Sequence, residues 1–511
     1  MTGVPAVVIA APASGSGKTT LATGLIGALR RAGHRVAPFK VGPDYIDPGY
    51  HGLAAGRPGR NLDPVLVDTE RVAPLYRHGA HGCDLAVVEG VMGLFDGRID
   101  ENHSGPVAEG STAQVASLLG APVVLVVDAR GHSQSLAALL HGFATFDSSV
   151  RLGGVILNRV GSERHEQVLR AACARVGLPV LGSLPRMAEL EVPSRHLGLI
   201  PAVEHGIAAT TAVAAMTDLV AAHVDLAAIA RLARTTVTGP AWDPVAEIRL
   251  SGAAEGSGAQ PQAAESSVAS RAETTLPDDA GTGRSRVEAM TAAAGFGFAD
   301  NDASGGPVIA MAGGPAFTFG YAEHRELMVA AGARVVVFDP LRDELPGGIA
   351  GLVLPGGFPE EHAAELAANA RLLAAVREQA RRGLPVHAEC AGLLYLTRSL
   401  DGHAMAGVVD ADAEFGPRLT LGYRDAVALA DSVLWRAGER VRGHEFHRTR
   451  LLAPATGEVA WGWHGGLGER VREGALVHRV HASYLHTHPA GNPTAAARFV
   501  AAAAAYSDDP A

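Results

Sequence analysis

Short apolar runs alternate with helix-like stretches from Val4 to about Leu184. The runs are VPAVVIAAP, RVAPFKVG, DLAVVEG, APVVLVVDA, RLGGVILNR and PVLGSLP, and the clearest helical stretch is Thr19 to Arg31. Strands that are apolar throughout and separated by helices are typical of a parallel sheet covered on both faces. The first part of the chain is therefore predicted to be an α/β domain.

The same alternation restarts at Pro307, with the runs PVIAMAG, ARVVVFDP, GLVLPGG and LPVHAEC. Between the two parts, residues 235–306 are rich in Ala, Gly, Ser, Thr, Glu and Pro and have almost no apolar periodicity. We therefore predict an α/β fold with two domains, 1–234 and 307–511, joined by a flexible, disordered linker at 235–306.

Composition and charge narrow the classes of partner. The 511 residues include 43 basic and 53 acidic side chains, a formal net charge of -10, so the protein has no general attraction to nucleic acid or anionic membranes. No apolar run approaches the roughly 18 residues of a membrane span. The three cysteines are too scattered for a disulfide framework, and the N-terminus lacks the basic region of a signal peptide. We expect a cytoplasmic protein.

The segment APASGSGKTT follows the first apolar run and precedes a helix, which is the context of a phosphate-binding loop. Backbone N–H groups and the helix N-terminus would bind phosphate oxygens, Lys18 would reach the β and γ phosphates, and the Thr19 hydroxyl would bind Mg²⁺. Pro12 stands where the strict pattern has Gly, and the extra lysine of partitioning ATPases is absent at Ala13. The predicted ATP-binding residues are Ser14, Gly15, Ser16, Gly17, Lys18, Thr19 and Thr20.

Two acids at predicted strand ends are candidate Mg²⁺ ligands beside Thr19. Asp44 lies in FKVGPDYIDPGY and Glu89 ends the run LAVVE, and open α/β sheets bind ligands at such ends. As alternatives, Glu89 could be a solvated residue, and Asp44 and Asp47 could be turn residues beside Pro43 and Pro48.

Other polar residues near these strand ends predict a carboxylated or phosphorylated substrate. Scattered surface residues are the alternative interpretation for each of them. The candidate substrate residues are Lys40, Tyr45, Asn61 and Asp96, with Arg57 and Arg60 nearby.

The segment LPVHAECAGLLYL places Cys390 at a strand-to-helix turn, as in a nucleophile elbow. A helix N-terminus favours the thiolate, and His486 in the late segment HASYLHTHPAGNP is the predicted base. Gly356 and Gly357 follow a strand, where their N–H groups could form an oxyanion hole. The alternative for Cys390 is an inert buried thiol. His444 and His447 have metal-like spacing but no third ligand, so we interpret them as substrate-groove or structural residues.

Taken together, these segments resemble the glutamine-dependent cobyrinate or hydrogenobyrinate a,c-diamide synthases of cobalamin biosynthesis. The resemblance covers nearly the whole chain apart from the linker. It rests on SGSGKTT, FKVGPDYIDPGYH, GRNLDP, VVEGVMGLFDG, PGGFPE, HAECAGLLYL, LGYR, RGHEFH and SYLHTH, in that order.

The resemblance implies a P-loop ATPase domain related to dethiobiotin synthetase and a class I glutamine amidotransferase domain. By motif it assigns Lys18 and Thr19 to ATP and Mg²⁺, Cys390 as nucleophile and His486 as its base. It also implies a ligase that uses ATP, L-glutamine and a corrin-ring acid with Mg²⁺. In the sequence His486-Thr487-His488 the acid common after this His in class I glutaminases is missing, and Glu445 is a weak candidate for its role.

Chemistry supports the same scheme. ATP would convert a carboxylate to an acyl phosphate, and Cys390 would release ammonia from glutamine through a thioester. Two alternatives stay open: a cobyric acid synthase acting on other corrin carboxylates, and a non-catalytic, ATP-driven assembly factor. The cobalt content of the substrate, the order of the two amidations and the oligomeric state, with a homodimer as one option, also stay open.

Overall fold

The computed structural model describes residues 3–99, 105–186, 194–195, 198–199, 201–257, 305–465 and 468–507. Its first part contains a seven-stranded, all-parallel sheet of order β3-β2-β4-β1-β5-β6-β7. These strands are β1 Ala6–Ala10, β2 Val36–Val41, β3 Arg60–Leu62, β4 Leu85–Glu89, β5 Val123–Asp128, β6 Leu152–Val160 and β7 Val180–Pro185. A two-stranded ribbon of β8 Ser194–Arg195 and β9 Gly198–Leu199 follows.

Helices cover both faces of this sheet. They are α1 Lys18–Arg31, α2 Asp47–Ala55, α3 Pro64–Val67, α4 Thr69–Gly79, α5 Thr112–Leu119, α6 Leu136–Thr145, α7 Glu163–Arg175, α8 Ala202–His205, α9 Ile207–His223, α10 Leu226–Leu232 and α11 Pro244–Ser257. Alternate residues of β1 enter different clusters: Val8 packs in one apolar core, and Val7 and Ile9 pack in the other. The strands are apolar throughout because both of their faces are buried.

The second part contains a six-stranded sheet of order β11-β10-β12-β13-β21-β20, in which only β20 runs antiparallel among these described strands. The strands are β10 Val308–Ala312, β11 Arg334–Phe338, β12 Gly351–Leu354, β13 Val386–Glu389, β20 Ala475–Val477 and β21 Val480–Ser483. Its helices are α12 Ala322–Ala330, α13 Ala363–Ala368, α14 Ala370–Arg381, α15 Ala391–Leu396 and α16 Pro493–Ser507, with 3₁₀ turns at Pro359–His362 and Pro489–Gly491.

A further, mainly antiparallel sheet stands beside it, which the sequence analysis did not predict. It is built on the long pair β16 (Asp412–Ala428) and β17 (Arg440–Leu451). The other strands are β14 Ser399–Leu400, β15 His403–Ala404, β18 Trp461–His464, β19 Arg470–Glu473 and β22 His486–Thr487. All ten apolar runs of the sequence analysis form strands, namely β1, β2, β4–β7 and β10–β13.

Part of the segment predicted as linker is folded against the first domain. Val237 and Trp242 are buried, the Trp242 backbone N–H donates to the Pro74 carbonyl at 2.9 Å, and α11 follows. A buried tryptophan contributes a large apolar contact area, which favours packing of this segment against the domain. The remainder of the predicted linker, 258–304, lies outside the described residues, and the domain boundaries as such stay a prediction.

The two α/β parts are packed together. Phe319 and Phe358 of the second part lie in the same apolar cluster as Ile46 and Tyr50 of the first. Polar contacts surround this packing: Arg60 forms ion pairs with Glu323 (2.6 Å) and Glu326, and the Tyr423 hydroxyl donates to Asp63 Oδ2 at 3.0 Å. Within the described part of the chain, no helix is both long enough and apolar enough to cross a membrane.

Candidate functional site

The loop between β1 and α1 has the shape of a phosphate cradle. Gly17 begins α1 with φ 93°, and a Cβ there would lie 2.4 Å from Asn158 Nδ2, so the position favours glycine. Asn158 Nδ2 donates to the Ser16 carbonyl at 2.9 Å, which fixes the loop from β6. Residues 13–15 are exposed, so the backbone is open to an anion at the N-terminus of a 14-residue helix.

Lys18 is buried, and its ammonium donates to the Met92 carbonyl at 2.6 Å. Burial, together with the nearby Lys40 ammonium, lowers the pKa of Lys18 from its ordinary value. Met92 has φ 44°, an uncommon conformation for a residue with a side chain. The lysine predicted to bind phosphate is thus held between the loop and residues 91–97.

Next to the loop lies an acid cluster, which consists of Asp47 and Glu89 around the Lys40 ammonium. Lys40 Nζ is 2.5 Å from Asp47 Oδ2 and 2.9 Å from Glu89 Oε1, and the Thr19 hydroxyl is 2.7 Å from Glu89 Oε1 and 3.1 Å from Asp47 Oδ2. His51 Nε2 lies 2.7 Å from the second oxygen of Glu89. These side chains are all largely buried except for Thr19, which is partly exposed.

The ionisation of the acid cluster follows from its charges. Burial, which dominates, and the neighbouring Asp44 raise the pKa of Asp47 to about 7. Burial would also raise the pKa of Glu89, but Lys40 and His51 hold it well below its ordinary value. Burial likewise opposes the charge on Lys40, yet the surrounding carboxylates raise its pKa.

The predicted metal ligand Asp44 lies at the edge of the acid cluster, and its metal role stays a prediction. Asp44 Oδ1 accepts hydrogen bonds from the N–H groups of Ile46 (2.8 Å) and Asp47 (3.1 Å), so it stabilises the start of α2, and its other oxygen is 3.9 Å from Lys40 Nζ. The acid that contacts Thr19 together with Glu89 is Asp47, not Asp44. Among the described residues, no three acidic, histidine or cysteine side chains are grouped as metal ligands, so a cation at this place would have two carboxylates and the Thr19 hydroxyl as its protein ligands.

The predicted substrate residues occupy different places. Lys40 is enclosed in the acid cluster, and Asn61 Nδ2 donates to the carbonyls of Gly42 and Asp44, both at 2.7 Å. These two side chains make contacts within the protein, and their role toward a substrate stays a prediction. Asp96 is exposed and accepts from the Gly93 N–H at 2.9 Å, which leaves it at the surface of the loop beside Lys18.

In the second part, Cys390 forms a sharp turn between β13 and α15. Its φ is 48° and its ψ is -98°, a strained conformation for a residue other than glycine, and its N–H donates to the Ser483 carbonyl at 2.7 Å. Burial, reinforced by the negative charge of Glu360, raises the pKa of the Cys390 thiol, while hydrogen bonds from the N–H groups of Ala391 and Gly357 act in the opposite direction.

The predicted oxyanion-hole glycines lie directly beside the cysteine and the histidine. The Gly357 N–H points at Cys390, and a Cβ on Gly356 would lie 2.4 Å from His486 Cε1. A side chain at residue 356 would therefore displace the imidazole. The arrangement brings Cys390, His486 and both glycines to the ends of neighbouring strands β12 and β13.

His486 is fully buried, and its Nδ1 lies 3.5 Å from Glu389 Oε2. The sequence analysis missed Glu389, although it is the residue directly before Cys390. Glu445, the sequence candidate for a carboxylate beside His486, instead pairs with Arg424 (2.6 Å) and His447 (3.4 Å). His447 also stacks on Tyr484 at 3.9 Å and lies 2.8 Å from the Thr449 carbonyl, which is a structural environment.

Tyr45 joins the two centres. Its ring centroid lies 5.0 Å from that of Phe319, 4.9 Å from Tyr321 and 5.1 Å from His486. Along the chain, Tyr45 is only two residues from Asp47 of the acid cluster. A cavity of about 30 Å³ adjoins this junction, and the residues that line it include Tyr45, Phe319, Tyr321, His387, Glu389 and Thr487.

The geometry defines two classes of centre: a P-loop nucleotide site and the cysteine elbow of a glutamine amidotransferase. Residues 7–200 match the CobQ/CobB/MinD/ParA nucleotide binding domain, and residues 308–494 match the CobB/CobQ-like glutamine amidotransferase domain. Both matches confirm the predicted fold class.

Curated relatives match nearly the full length. A hydrogenobyrinate a,c-diamide synthase of Mycobacterium tuberculosis (strain ATCC 25618 / H37Rv) is 56% identical over 98% of both chains, and one of Streptomyces coelicolor is 55% identical over 97% of both. A cobyrinate a,c-diamide synthase of Gloeobacter violaceus is 40% identical over 97% of this chain and 96% of its own. A solved glutamine amidotransferase is 20% identical with a TM-score of 0.28, covering 38% of this chain and 98% of its own, which is too weak to add to these findings.

The chain belongs to the cobyrinate and hydrogenobyrinate a,c-diamide synthase family. The resemblance in the sequence analysis is thereby confirmed, as is its prediction of a carbon–nitrogen ligase that uses glutamine.

Proposed function

We propose that the protein amidates the a and c side-chain carboxylates of hydrogenobyrinate or cobyrinate, using ATP and glutamine, through acyl-phosphate intermediates. The observation that carries this proposal is the junction at Tyr45, where the candidate nucleotide site and the candidate glutaminase site meet across the domain interface. Family membership supports the reaction class, and the geometry supports the division of work between the two centres.

In the glutaminase half, the Cys390 thiolate attacks the carbonyl carbon of the glutamine amide. The Gly357 N–H, which contacts Cys390, would donate to the oxyanion that forms. His486 takes the thiol proton and returns it to the departing nitrogen, which leaves as ammonia. Water then cleaves the thioester, so glutamate is released and the thiol is restored.

In the synthetase half, an oxygen of the substrate carboxylate attacks the γ-phosphorus of ATP, and ADP leaves. Ammonia then attacks the acyl carbon and displaces phosphate, so one amide forms for each ATP and each glutamine. Lys18 and the loop N–H groups hold the phosphates.

The donor set beside the loop fits Mg²⁺. A hydroxyl and two carboxylates converge at Thr19, and the acid cluster with Asp44 carries three acids against one ammonium. Thr19, Asp47 and Glu89 would hold the ion. Bound there, Mg²⁺ would neutralise charge on the β and γ phosphate oxygens.

Ammonia must cross from one half to the other without being lost to solvent. The cavity beside Tyr45 and Glu389 measures about 30 Å³. A space of about 10–15 Å³ on the same measure holds one water, and ammonia is of similar size. The cavity is therefore large enough for ammonia at the boundary between the halves.

The metal-free ring acid, hydrogenobyrinate, is the favoured substrate. The relatives with more than half of their residues identical carry that name, whereas the Gloeobacter relative, named for the cobalt form, is more distant. Mass spectrometry of products after both acids are offered in parallel tests this preference. Two mass decreases of about one unit on hydrogenobyrinate alone support it, and amidation of cobyrinate alone contradicts it.

Two substitutions test the division of work. Cys390→Ala should abolish glutamine-dependent amidation but leave amidation from ammonium chloride, whereas Lys18→Ala should abolish both. Cys173→Ala, a buried cysteine in α7 with no placed role, is the matched control and should retain both activities. If Cys390→Ala also loses the ammonia-dependent reaction while folding normally, the role given to Cys390 is wrong.

A further inference from the structure

The buried His486 lacks the acid that class I glutaminases commonly supply two residues later. Residue 488 is another histidine, with its Nδ1 accepting from the Ala490 N–H at 3.2 Å. Neither ring nitrogen of His486 has a hydrogen-bond partner within the described structure. A buried imidazole without a partner loses its hydration without compensation, and its tautomer is not fixed.

Building on the proposed glutaminase reaction, we propose that Glu389, the residue before the nucleophile, is the positioning carboxylate of His486. Its Oε2 is the carboxylate oxygen recorded beside His486 Nδ1, at 3.5 Å. A shift of a few tenths of an ångström closes this distance to a hydrogen bond. Nε2 of the same ring is then left for Cys390.

The other oxygen of Glu389 is already fixed by three contacts. Oε1 accepts from the Thr487 N–H (3.2 Å) and the Thr487 hydroxyl (3.1 Å), and it lies 3.2 Å from His387 Nε2. Thr487 belongs to β22, the strand that also carries His486, so the carboxylate ties the nucleophile strand to the base strand. With Oε1 held in this way, Oε2 is directed at the imidazole.

Charge supports the same role. The titratable groups recorded around His486 are Glu389 on β13, His444 on β17 and Tyr45 from the first domain. Burial lowers the pKa of His444 to about 3, so it is neutral at pH 7. Burial opposes ionisation of Glu389, but the pKa of this acid is held well below its ordinary value by contacts with His387 and His486. Glu389 is thus the anion that stabilises the imidazolium formed during thioester formation.

Glu389→Gln tests the role because it keeps the shape and removes the charge. We expect glutamine-dependent kcat to fall by roughly 10²-fold or more, with ammonia-dependent amidation within about twofold of the wild type. The acidic limb of kcat/KM for glutamine should also move to lower pH, since the imidazolium then lacks the anion that stabilises it. A change confined to structure would not move this limb.

Glu445→Gln is the matched control, because Glu445 is a buried acid on the strand next to His486 that pairs elsewhere. Glu445→Gln should leave the acidic limb of kcat/KM for glutamine at the wild-type pH. The inference is overturned if Glu389→Gln retains glutaminase activity within about threefold, if its limb does not move, or if Glu445→Gln moves the limb instead.

A second measurement applies if Glu389→Gln impairs amidation from both glutamine and ammonia. The pH dependence of Cys390 alkylation by iodoacetamide, read by mass spectrometry of its peptide, requires no turnover. Because the charge of Glu389 also raises the pKa of the Cys390 thiol directly, the same substitution is compared in a His486→Ala background. A limb that moves to lower pH only when His486 is present supports the role of Glu389, and an unchanged limb or an equal displacement in both backgrounds overturns it. If only the proposal about Glu389 is wrong, the wild-type protein still hydrolyses glutamine. If the proposed function is wrong, the wild-type protein does not hydrolyse glutamine.

Discussion

Lys40→Met removes the ammonium from the acid cluster and leaves Asp47 and Glu89 without it. The Lys40 side chain is only 5% exposed, and its Nζ lies within 3 Å of an oxygen from each acid. Removing one partner of such a buried ionic group typically costs about 3–5 kcal/mol. Methionine has similar length and replaces the apolar stem, so the change is chiefly one of charge.

The acids limit this cost by taking up a proton. The pKa of Asp47 is already raised to about 7, so its protonation at pH 7 costs little. Glu89 has an ordinary pKa of 4.5, and protonating it at pH 7 costs about 3 kcal/mol at roughly 1.4 kcal/mol per unit. We therefore expect the free energy of unfolding to fall by about 3 kcal/mol at pH 7.

The pH dependence of the stability loss shows whether protonation of Glu89 causes it. In the variant, the folded-state pKa of Glu89 rises above its unfolded value, so the penalty is absent below about pH 4.5 and grows by about 1.4 kcal/mol per unit above it. Urea unfolding at pH 6, 7 and 8, followed by tryptophan fluorescence, measures this slope. Added MgCl₂ should raise the melting temperature of the variant more than that of the wild type, because a divalent cation restores the missing positive charge.

Arg31→Met is the control, since Arg31 pairs with Asp218 at the surface with more than half of each side chain exposed. It should change stability by less than about 1 kcal/mol. The reasoning is refuted if Lys40→Met costs under 1 kcal/mol at pH 7, or if its cost does not change with pH.

Two further predictions follow from buried groups. Burial lowers the pKa of His324, His444 and His481 to about 3, so the unfolded chain gains protons below pH 6.5 that the folded chain does not. Each costs about 2 kcal/mol at pH 5, as does His488, whose pKa burial lowers to about 4. Burial raises the pKa of Glu473 and Asp47 to about 7 and that of Asp63 to about 6, which offsets about 2, 2 and 1 kcal/mol, so urea unfolding should show a net loss of about 3 kcal/mol from pH 7 to pH 5. Equal stability at both values would contradict this account. Tyr45→Ala should raise the ratio of glutamate released to amide formed at least severalfold, whereas Tyr45→Phe should keep the wild-type ratio, and an unchanged ratio in Tyr45→Ala would exclude a role in coupling.

Ten of the thirteen described strands in the two α/β sheets could be predicted because they are largely buried and therefore read as apolar runs, whereas the short β3, β20 and β21 were not predicted. The long pair β16 and β17 could not, because their residues are buried only in part. Leu421 is 55% exposed and Phe415 is 39% exposed, while Glu445 and Arg424 pair with each other beside them. Neither a continuous apolar run nor a clean alternation marks such strands.

At the candidate site, the sequence did not show which carboxylates lie beside Thr19 and His486. Asp44 and Asp47 both stand one residue from a proline, and the sequence does not show which carboxylate turns toward Thr19. The start of helix α2 determines which carboxylate this is. Asp44 accepts hydrogen bonds from the N–H groups at the helix start, and Asp47 lies on the first turn with its side chain buried. Glu389 was missed because the acid was sought two residues after His486 and then at Glu445, whereas the fold brings the imidazole to the end of β13, the strand that leads to Cys390.

One short segment contributes to both candidate centres. Asp44 holds the start of α2, Asp47 contacts Thr19, and Tyr45 between them packs against His486. Two residues span at most about 7 Å, so the side chains that contact Thr19 and His486 stand on one short stretch of backbone. The sequence keeps them close together along the chain, and the packing of the second α/β part against this segment brings His486 to the same place.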